Sequence, residues 1–383
     1  MAIVDFKISG YRSIKNLWLK LQPINVIVGQ NGTGKSNLYR AMYLISCATR
    51  GELARAIADE GGILSALWAG ENLKAEDFKI SLSVRTLTYE YNLVFGQAGS
   101  VIRPGFFAND PVIRLEEVFK FEKGVRKRLL QRRLGSVFAR NAQGKEVEYT
   151  TKVSDSEAVL SALKDPVNFP ELFALREEIL AWRFYHSFRS DIDSPLRMPQ
   201  IGVLTKVLSH DGKDLAATLA SIIECGDKEA LETAIDEAFP GAELGISTTA
   251  SGLSLSFFQP GLLRPFNGSE LSDGTLQYLC LLAALLSLSP PAVIVLNEPE
   301  TSLHPDLIEP LARLIVRCSK DCQIWITTHS LELSDRIMDL TGYEAYELTK
   351  VNGATKLVGV GLGGYRESDD DDDENEEQRE DLD

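Results

Sequence analysis

Eight consecutive residues near the N-terminus have the types and spacing of a phosphate-binding loop. They read Gly-Gln-Asn-Gly-Thr-Gly-Lys-Ser over 29–36, between an apolar stretch at 24–28 and a helix predicted from about Ser36 to Ser46. Glycines let backbone N–H groups turn towards a phosphate, and a helix N-terminus adds partial positive charge. The pattern predicts a triphosphate site formed by Gly29, Asn31, Gly32, Thr33, Gly34, Lys35, Ser36 and Asn37.

Two side chains of this loop have separate predicted tasks. Lys35 can reach the β- and γ-phosphates, and the Ser36 hydroxyl can ligate Mg²⁺. The alternative is a chance glycine-rich turn. Eight matching positions between a strand and a helix favour the phosphate site.

Polar residues follow two apolar runs in the second half of the chain. The runs at 293–296 and 323–326 are followed by Asn297-Glu298 and, shortly after, by His329. Continuous apolar runs are typical of buried parallel strands, whose C-terminal ends carry ligand sites. We expect Glu298 to polarise an attacking water, His329 to hydrogen-bond the γ-phosphate, and Asn297 to accept from a Mg²⁺-bound water. A satisfied structural role is the alternative for a single histidine.

A third motif begins the apolar helix predicted near Leu276. Ser272 and Gly274 lie at its start, within the sequence Leu-Ser-Asp-Gly-Thr. Serine at a helix start caps backbone N–H groups, and such an N-terminus also attracts anions. Alone, the motif predicts only a helix cap.

Together, the motifs resemble the ABC-type ATPase family, and within it the RecF/SMC-like branch. The resemblance covers about 1–45 and 265–335 and matches the middle of the chain only loosely. It is carried by Phe6–Asn16, the loop at 29–36, Leu271-Ser272-Asp273-Gly274, Asn297-Glu298-Pro299, Ser302-Leu303-His304 and His329.

The resemblance implies an α/β fold, a P-loop NTPase of the ABC/SMC-head type with an antiparallel β subdomain and an inserted helical lobe. It also implies ATP and Mg²⁺ as cofactors, and a homodimer with nucleotide at the interface. In that arrangement Lys35, Glu298 and His329 would serve one nucleotide as catalytic residues. Ser272 and Gly274 would contact its γ-phosphate from the partner copy.

The chain departs from the family pattern at several positions. Asn297 stands where an Asp is expected, so Mg²⁺ affinity and the hydrolysis rate are open questions. Thr275 stands where the family often has Gln or Glu. The glutamine-bearing loop of the family has only Gln97 as a candidate.

The pattern along the chain predicts an interrupted head domain. Residues 1–150 and 243–366 are expected to form the ATPase head, and 151–242 a mostly helical inserted lobe. Alternation at 78–85 and 89–95 predicts an antiparallel hairpin, and 182–187 is expected to be an isolated strand. The tail at 367–383 contributes −11 of the net charge of −15 and is predicted to be disordered.

Composition points to a cytoplasmic protein with no membrane partner. No apolar run reaches the roughly 20 residues that a membrane span needs, and no charged-then-apolar leader precedes the first strand. The five cysteines are scattered, without the spacing of a metal site or a disulfide framework.

Double-stranded DNA is a possible partner. The segment 120–133 holds seven cations in fourteen residues, with Arg140 beyond, and could follow phosphates. The alternative is a solvated hairpin whose cations pair with acids such as Glu116 and Glu117. The segment His186–Asp191 could touch nucleotide or a partner, or form a structural loop.

Three functions remain open. The first is a RecF/SMC-like ATPase that acts on DNA in repair or genome defence through ATP-dependent head dimerisation. The second is the nucleotide-binding subunit of a membrane transporter, although over 220 residues separate the phosphate loop from Leu271. The third is a weakly hydrolysing or non-hydrolysing scaffold that is gated by nucleotide and holds an effector protein.

Overall fold

A computed structural model of the chain describes residues 2–70, 78–97, 107, 109–133, 136–150 and 152–359. The predicted acidic tail, 367–383, lies outside the described residues. The strands are β1 (Ile3–Tyr11), β2 (Ile14–Lys20), β3 (Ile24–Gly29), β4 (Lys79–Thr86), β5 (Tyr89–Gly96), β6 (Val112–Glu122), β7 (Val125–Arg133), β8 (Ser136–Arg140), β9 (Glu146–Glu148), β10 (Arg183–Tyr185), β11 (Glu243–Thr249), β12 (Gly252–Phe258), β13 (Phe266–Asn267), β14 (Val293–Asn297), β15 (Gln323–Thr327), β16 (Tyr346–Val351) and β17 (Ala354–Leu357).

The helices pack around these strands. They are α1 (Lys35–Arg50), α2 (Leu53–Asp59), α3 (Ile63–Ala66), α4 (Val159–Ala162), α5 (Pro170–Leu180), α6 (Leu215–Cys225), α7 (Lys228–Ala238), α8 (Asp273–Leu285), α9 (Ile308–Cys318) and α10 (Leu331–Thr341). In the described parts of the chain, no helix combines the length and the apolar character needed to cross a bilayer.

A six-stranded sheet carries the motifs. Its order is β10-β14-β15-β3-β16-β17, and β10, β14, β15, β3 and β16 run parallel. All five residues of β14 and of β15 are buried, as expected of strands covered on both faces. The C-terminal ends of the parallel strands meet along one edge, and the sequence motifs follow at that edge.

The two faces of this sheet belong to two hydrophobic cores. Val293 and Val295 join the core that α1 and the second sheet share. Ile294 and Leu296 point into the core built by α6, α8 and α9. Successive side chains of a strand alternate between faces, so an unbroken apolar run is needed to fill both cores.

The second sheet has eight antiparallel strands in the order β2-β1-β4-β5-β6-β7-β8-β9. The hairpin predicted at 78–85 and 89–95 is confirmed as β4 and β5. Along β4, buried residues alternate with more exposed ones, which is the pattern of a sheet packed on one face. Phe6 of β1 packs edge-on against Trp325 of β15, with 5.9 Å between ring centroids, and joins the two sheets.

The stretch predicted as an inserted lobe contains both helices and a strand. Helices α4, α5, α6 and α7 lie there, together with strand β10. The strand predicted at 182–187 is present as β10, but it is not isolated, because it pairs in parallel with β14 at the edge of the six-stranded sheet. The lobe's boundaries, 151–242, remain a prediction.

Candidate functional site

The glycine-rich loop turns from β3 into α1 through backbone conformations that favour glycine. Gly32 and Gly34 have φ angles of 80° and 109°. A Cβ on Gly34 would lie 2.2 Å from Thr355 Oγ1, whereas a Cβ on Gly32 would meet nothing within 4 Å. The loop is therefore tightly packed on one side and open at its outer turn. Gly34 gives α1 no side-chain cap, so the first N–H groups of the helix lack that competitor for an anion.

The loop is braced by residues that are distant in sequence. Thr355 Oγ1 donates to the Thr33 carbonyl oxygen over 2.7 Å and lies 2.8 Å from Ser13 Oγ. The Asn37 amide donates to Ser13 Oγ over 2.8 Å, so Asn37 supports the loop, and its predicted nucleotide contact stays a prediction. The sequence gives neither residue a role: Ser13 lies within the Phe6–Asn16 segment but carries no predicted contact, and Thr355 belongs to no recognisable motif.

Lys35, His329 and Glu298 form a connected row beneath the loop. Lys35 Nζ lies 3.3 Å from His329 Nδ1, and His329 Nε2 lies 2.8 Å from a Glu298 carboxylate oxygen. Since an ammonium can only donate, Nδ1 accepts and the Nε2–H of a neutral imidazole donates to Glu298. The three predicted catalytic residues, which come from three regions of the sequence, thus lie side by side.

The side chain of Lys35 folds back onto the backbone of its own loop. Its side chain donates to the carbonyl oxygens of Gly29 and Gln30, over 2.5 and 3.2 Å, and the residue is only 5% exposed. Burial lowers the pKa of Lys35, while Glu298 and Glu300 act in the opposite direction. A cation prepared in this way favours a triphosphate, which would replace the carbonyl contacts with stronger charged ones.

Glu300 orients the turn that carries His329. One carboxylate oxygen accepts from Thr328 Oγ1 and from the backbone N–H groups of His329 and Ser330, over 2.5, 3.0 and 3.2 Å. The other oxygen is buried and has no hydrogen-bond partner among the described residues. Glu298 itself has a positive φ of 48°, and its N–H donates to the Thr327 carbonyl oxygen over 2.7 Å. Glu300 therefore supports the His329 turn through hydrogen bonds, in addition to placing negative charge near Lys35.

The two predicted metal-site residues lie at the start of α1 and at the end of β14. Ser36 is exposed in the first turn of α1, and Asn297 is 8% exposed at the end of β14. The Asn297 side-chain oxygen accepts from Thr327 Oγ1 over 2.8 Å. In the described part of the chain no cluster of three His, Cys, Asp or Glu side chains is placed to hold a metal. A serine hydroxyl and an amide oxygen suit Mg²⁺ that is bound mainly through phosphate oxygens and water.

The turn at Ser272 is exposed to solvent, and contacts with Arg197 hold it in place. Ser272 Oγ accepts from the Thr275 N–H over 3.1 Å and so caps α8. Arg197, in a 3₁₀ turn, donates to the carbonyl oxygens of Ser269 and Leu271 and pairs with Asp273 at 2.6 Å. No hydrogen bond within the described ranges joins the Ser272 side chain to the Lys35 row.

Gly274 and Gln97 have different surroundings from those of the loop. A Cβ on Gly274 would lie 2.7 Å from the Ser302 carbonyl oxygen, so glycine allows α8 to approach that turn. Gln97 follows β5 in the antiparallel sheet, where its carbonyl oxygen accepts from Arg114 over 2.8 Å. In the six-stranded sheet the strands beside β14 are β10 and β15, so Gln97 does not follow a neighbour of β14.

Most of the basic segment at 120–133 is paired within the chain. Ion pairs join Lys120 to Glu171, Arg126 to Glu90 and Arg128 to Glu146, at 3.0, 2.8 and 3.6 Å. Arg132 is buried and donates to backbone carbonyl oxygens at positions 154 and 157. Lys120, Arg126 and Arg128 fit the alternative of a hairpin whose cations pair with acids, whereas Arg132 has a buried structural role. The exposed cations that remain in the segment are Lys123, Lys127 and Arg133.

Comparison with known proteins identifies the family. Residues 24–335 match the family described as "AAA domain, putative AbiEii toxin, Type IV TA system", which is most of the 383-residue chain. The chain belongs to this family.

Two curated relatives share a shorter region with this AAA-domain chain. The phosphate import ATP-binding protein PstB 2 of Synechococcus sp. (strain JA-3-3Ab) is 34% identical over 92 residues, 24% of this chain and 34% of the relative. PstB of Mycoplasma mycoides subsp. mycoides SC is 34% identical over 97 residues, 25% of this chain and 40% of the relative. The chain therefore spans about a third of the length of the curated relatives it matches.

The overall fold is similar to that of a solved SMC head bound to the C-winged helix domain of ScpA. That structure is 14% identical, the TM-score is 0.51, and the match covers 95% of this chain and 99% of that chain. At this identity the likeness concerns the fold. The predicted α/β P-loop fold of the ABC/SMC-head type is confirmed, as is the resemblance to ABC/SMC-like ATPases.

Proposed function

We propose that this chain binds ATP with Mg²⁺, hydrolyses it, and uses it to join two copies of the head. The observation that carries the proposal is the row of contacting side chains formed by Lys35, His329 and Glu298 beside the glycine-rich loop. The row places a buried cation, a neutral imidazole and a carboxylate next to one another in space. Such groups can serve the hydrolysis of a terminal phosphate.

Each residue of the row has a task in the proposed reaction. Lys35 neutralises charge on the β- and γ-phosphates, and the N-terminus of α1 adds to this effect. Glu298 holds a water in line with the γ-phosphorus and accepts its proton as the new P–O bond forms. The bond to the β-phosphate oxygen breaks, and ADP leaves with that electron pair. His329 donates to a γ-phosphate oxygen in place of Glu298. Mg²⁺, held by Ser36 and through water by Asn297, would supply further positive charge.

The exposed Ser272 turn supports the dimer proposal. Its helix N-terminus faces solvent while Arg197 keeps it rigid, which suits a surface that meets a γ-phosphate on another copy. Ser272 and Gly274 would then complete the partner's site, and nucleotide would hold the two heads together.

Action on double-stranded DNA, in repair or genome defence, is the finer proposal for this switch. The exposed Lys123, Lys127 and Arg133 support weak phosphate contacts, and the family description favours defence. The five cysteines are free thiols, which fits a reducing cytoplasm. The phosphate import relatives favour a transporter subunit instead, for which co-purification with a polytopic membrane partner is the test.

Asn297 favours a second candidate, a scaffold for an effector protein with little or no hydrolysis. An amide offers no charge to balance Mg²⁺, and its oxygen already accepts from Thr327. If the native protein shows no phosphate release while Asn297→Asp does, the scaffold is favoured. Equal turnover by both proteins would favour the ATPase.

Sizing by light scattering tests the main proposal. The native protein should be a monomer without nucleotide and shift towards a dimer with Mg²⁺-ATP, reversibly as ATP is consumed. Glu298→Gln should remain dimeric, because the water is no longer polarised, while Glu229→Gln on the exposed face of α7 should behave as native. A Glu298→Gln protein that stays monomeric at saturating ATP would contradict the proposal. Duplex DNA added to the native protein should raise phosphate release if DNA is the substrate.

A further inference from the structure

Five parallel strands end at the edge where nucleotide is proposed to bind, and β10 is one of those that have no assigned role. The ends of β3, β14 and β15 lead to the glycine-rich loop, to Asn297-Glu298 and to His329. Strand β10 lies at the end of the sheet, beside β14. Tyr185 of β10 lies opposite Leu296 of β14, so the next residue, His186, is level with Asn297. His186 therefore stands at the same edge of the sheet as the proposed metal-site residue.

The surroundings of His186 place it between the two elements that carry the predicted Mg²⁺ contacts. Its ring lies 5.6 Å from that of Tyr39, measured between centroids, at 39°. Tyr39 is three residues after Ser36 on α1, and residues with this spacing share a helix face. On the other side, His186, Asn297 and Gln277 line one small cavity. His186 is also exposed to solvent, and with Tyr39 it lines a pocket of about 600 Å³.

We propose that His186 is a positioning residue for the metal-bound nucleotide and that it supplements Asn297. A neutral imidazole offers one donor and one acceptor. Mg²⁺ keeps several waters, and these waters need acceptors beyond the direct ligands. Asn297 supplies no charge and shares its oxygen with Thr327, so a second acceptor beside it has a clear use. This inference rests on the proposed ATP binding. It assigns to His186, directly after β10, the role for which Gln97 is the candidate from the sequence.

His210 shows what a structural histidine in the same region is like. Its Nδ1 lies 2.9 Å from the Phe184 carbonyl oxygen, and Arg50 approaches its other nitrogen at 3.3 Å. Burial lowers the pKa of His210. Its polar contacts therefore support the middle of β10, whereas His186 lies past the end of that strand and is exposed.

The test is an equilibrium titration with a fluorescent ATP analogue, with Mg²⁺ and with EDTA. His186→Ala should weaken binding about 10-fold with Mg²⁺ and leave binding in EDTA unchanged. His186→Gln, whose amide again offers an acceptor, should recover most of the loss. Lys213→Ala, which removes an exposed ammonium paired with Asp211 outside the segment His186–Asp191, should match the native protein in both conditions.

The outcomes separate this inference from the proposal on which it rests. If His186→Ala binds like the native protein with Mg²⁺, or loses affinity equally in both conditions, the positioning role is overturned while ATP binding stands. If Gln97→Ala rather than His186→Ala removes the Mg²⁺-dependent part, the glutamine candidate is favoured. A native protein that binds no nucleotide in either condition overturns both proposals.

Discussion

The residues around Lys35 and those around Ser272 differ in how much of their surroundings the chain itself supplies. Lys35 is buried, and its ammonium contacts two carbonyl oxygens and His329, which in turn contacts Glu298. Ser272 is exposed, and its hydroxyl bonds within its own turn. One region is a preorganised cluster of contacting side chains, and the other is an exposed turn that hydrogen bonds from Arg197 hold in place. The difference teaches that nucleotide binding and assembly should be separable by mutation.

Lys35→Ala should have the largest effect, because it removes the buried cation from the complete half of the site. We expect ATP affinity to fall by about 100-fold or more, since charged contacts to phosphate are among the strongest polar interactions. ATP-dependent dimerisation should disappear with it. Calorimetric titration measures the loss of ATP affinity. The matched control is Lys15→Ala, at an exposed position of β2. Affinity within about twofold of native would contradict the assignment.

Ser272→Arg should break only the assembly half. The exposed turn can accommodate a long side chain in a single copy, so ATP affinity of the monomer should change by less than about twofold. The same side chain should clash with a partner surface and abolish the ATP-dependent dimer in light scattering. Ser251→Arg, in the exposed turn between β11 and β12, should dimerise normally. Equal loss of nucleotide binding in Ser272→Arg would show that the two regions are not separable.

Arg197→Ala should have the smallest effect and would sharpen the comparison. It removes hydrogen bonds to the Ser269 and Leu271 carbonyl oxygens and the ion pair with Asp273. Hydrogen bonds from charged groups contribute about 1–3 kcal/mol, so the melting temperature should fall by a few degrees. Dimer affinity should fall several-fold while monomer affinity for ATP stays unchanged.

The Arg197→Lys variant distinguishes geometry from charge. Lysine keeps the positive charge but lacks the planar fork that reaches several acceptors at once. It should therefore recover only part of the stability and dimer affinity. Full recovery, seen by the same thermal and scattering measurements, would mean that charge alone holds the turn.

Sequence reasoning was correct where the residue types and the short-range hydrophobic pattern indicated the same element. The loop at 29–36, the hairpin of β4 and β5 and the apolar strands β14 and β15 all follow from short-range patterns. It predicted a strand at β10 but not its pairing with β14, because a three-residue strand carries too little periodicity to show its partner. It left the basic segment undecided, because ion pairs such as that of Arg126 with Glu90 form across strands.

Residue types and their spacing by themselves determined that this chain has a phosphate loop, a carboxylate and a histidine at strand ends, and a capped helix at Ser272. These are local properties that backbone conformation and helix termini impose on nearby residues. Only the tertiary structure decided that Thr355 braces Thr33 across 322 positions, that Glu300 orients His329, and that His186 lies level with Asn297. Parallel strands bring their ends together through long crossovers, so their neighbours depend on how whole layers pack.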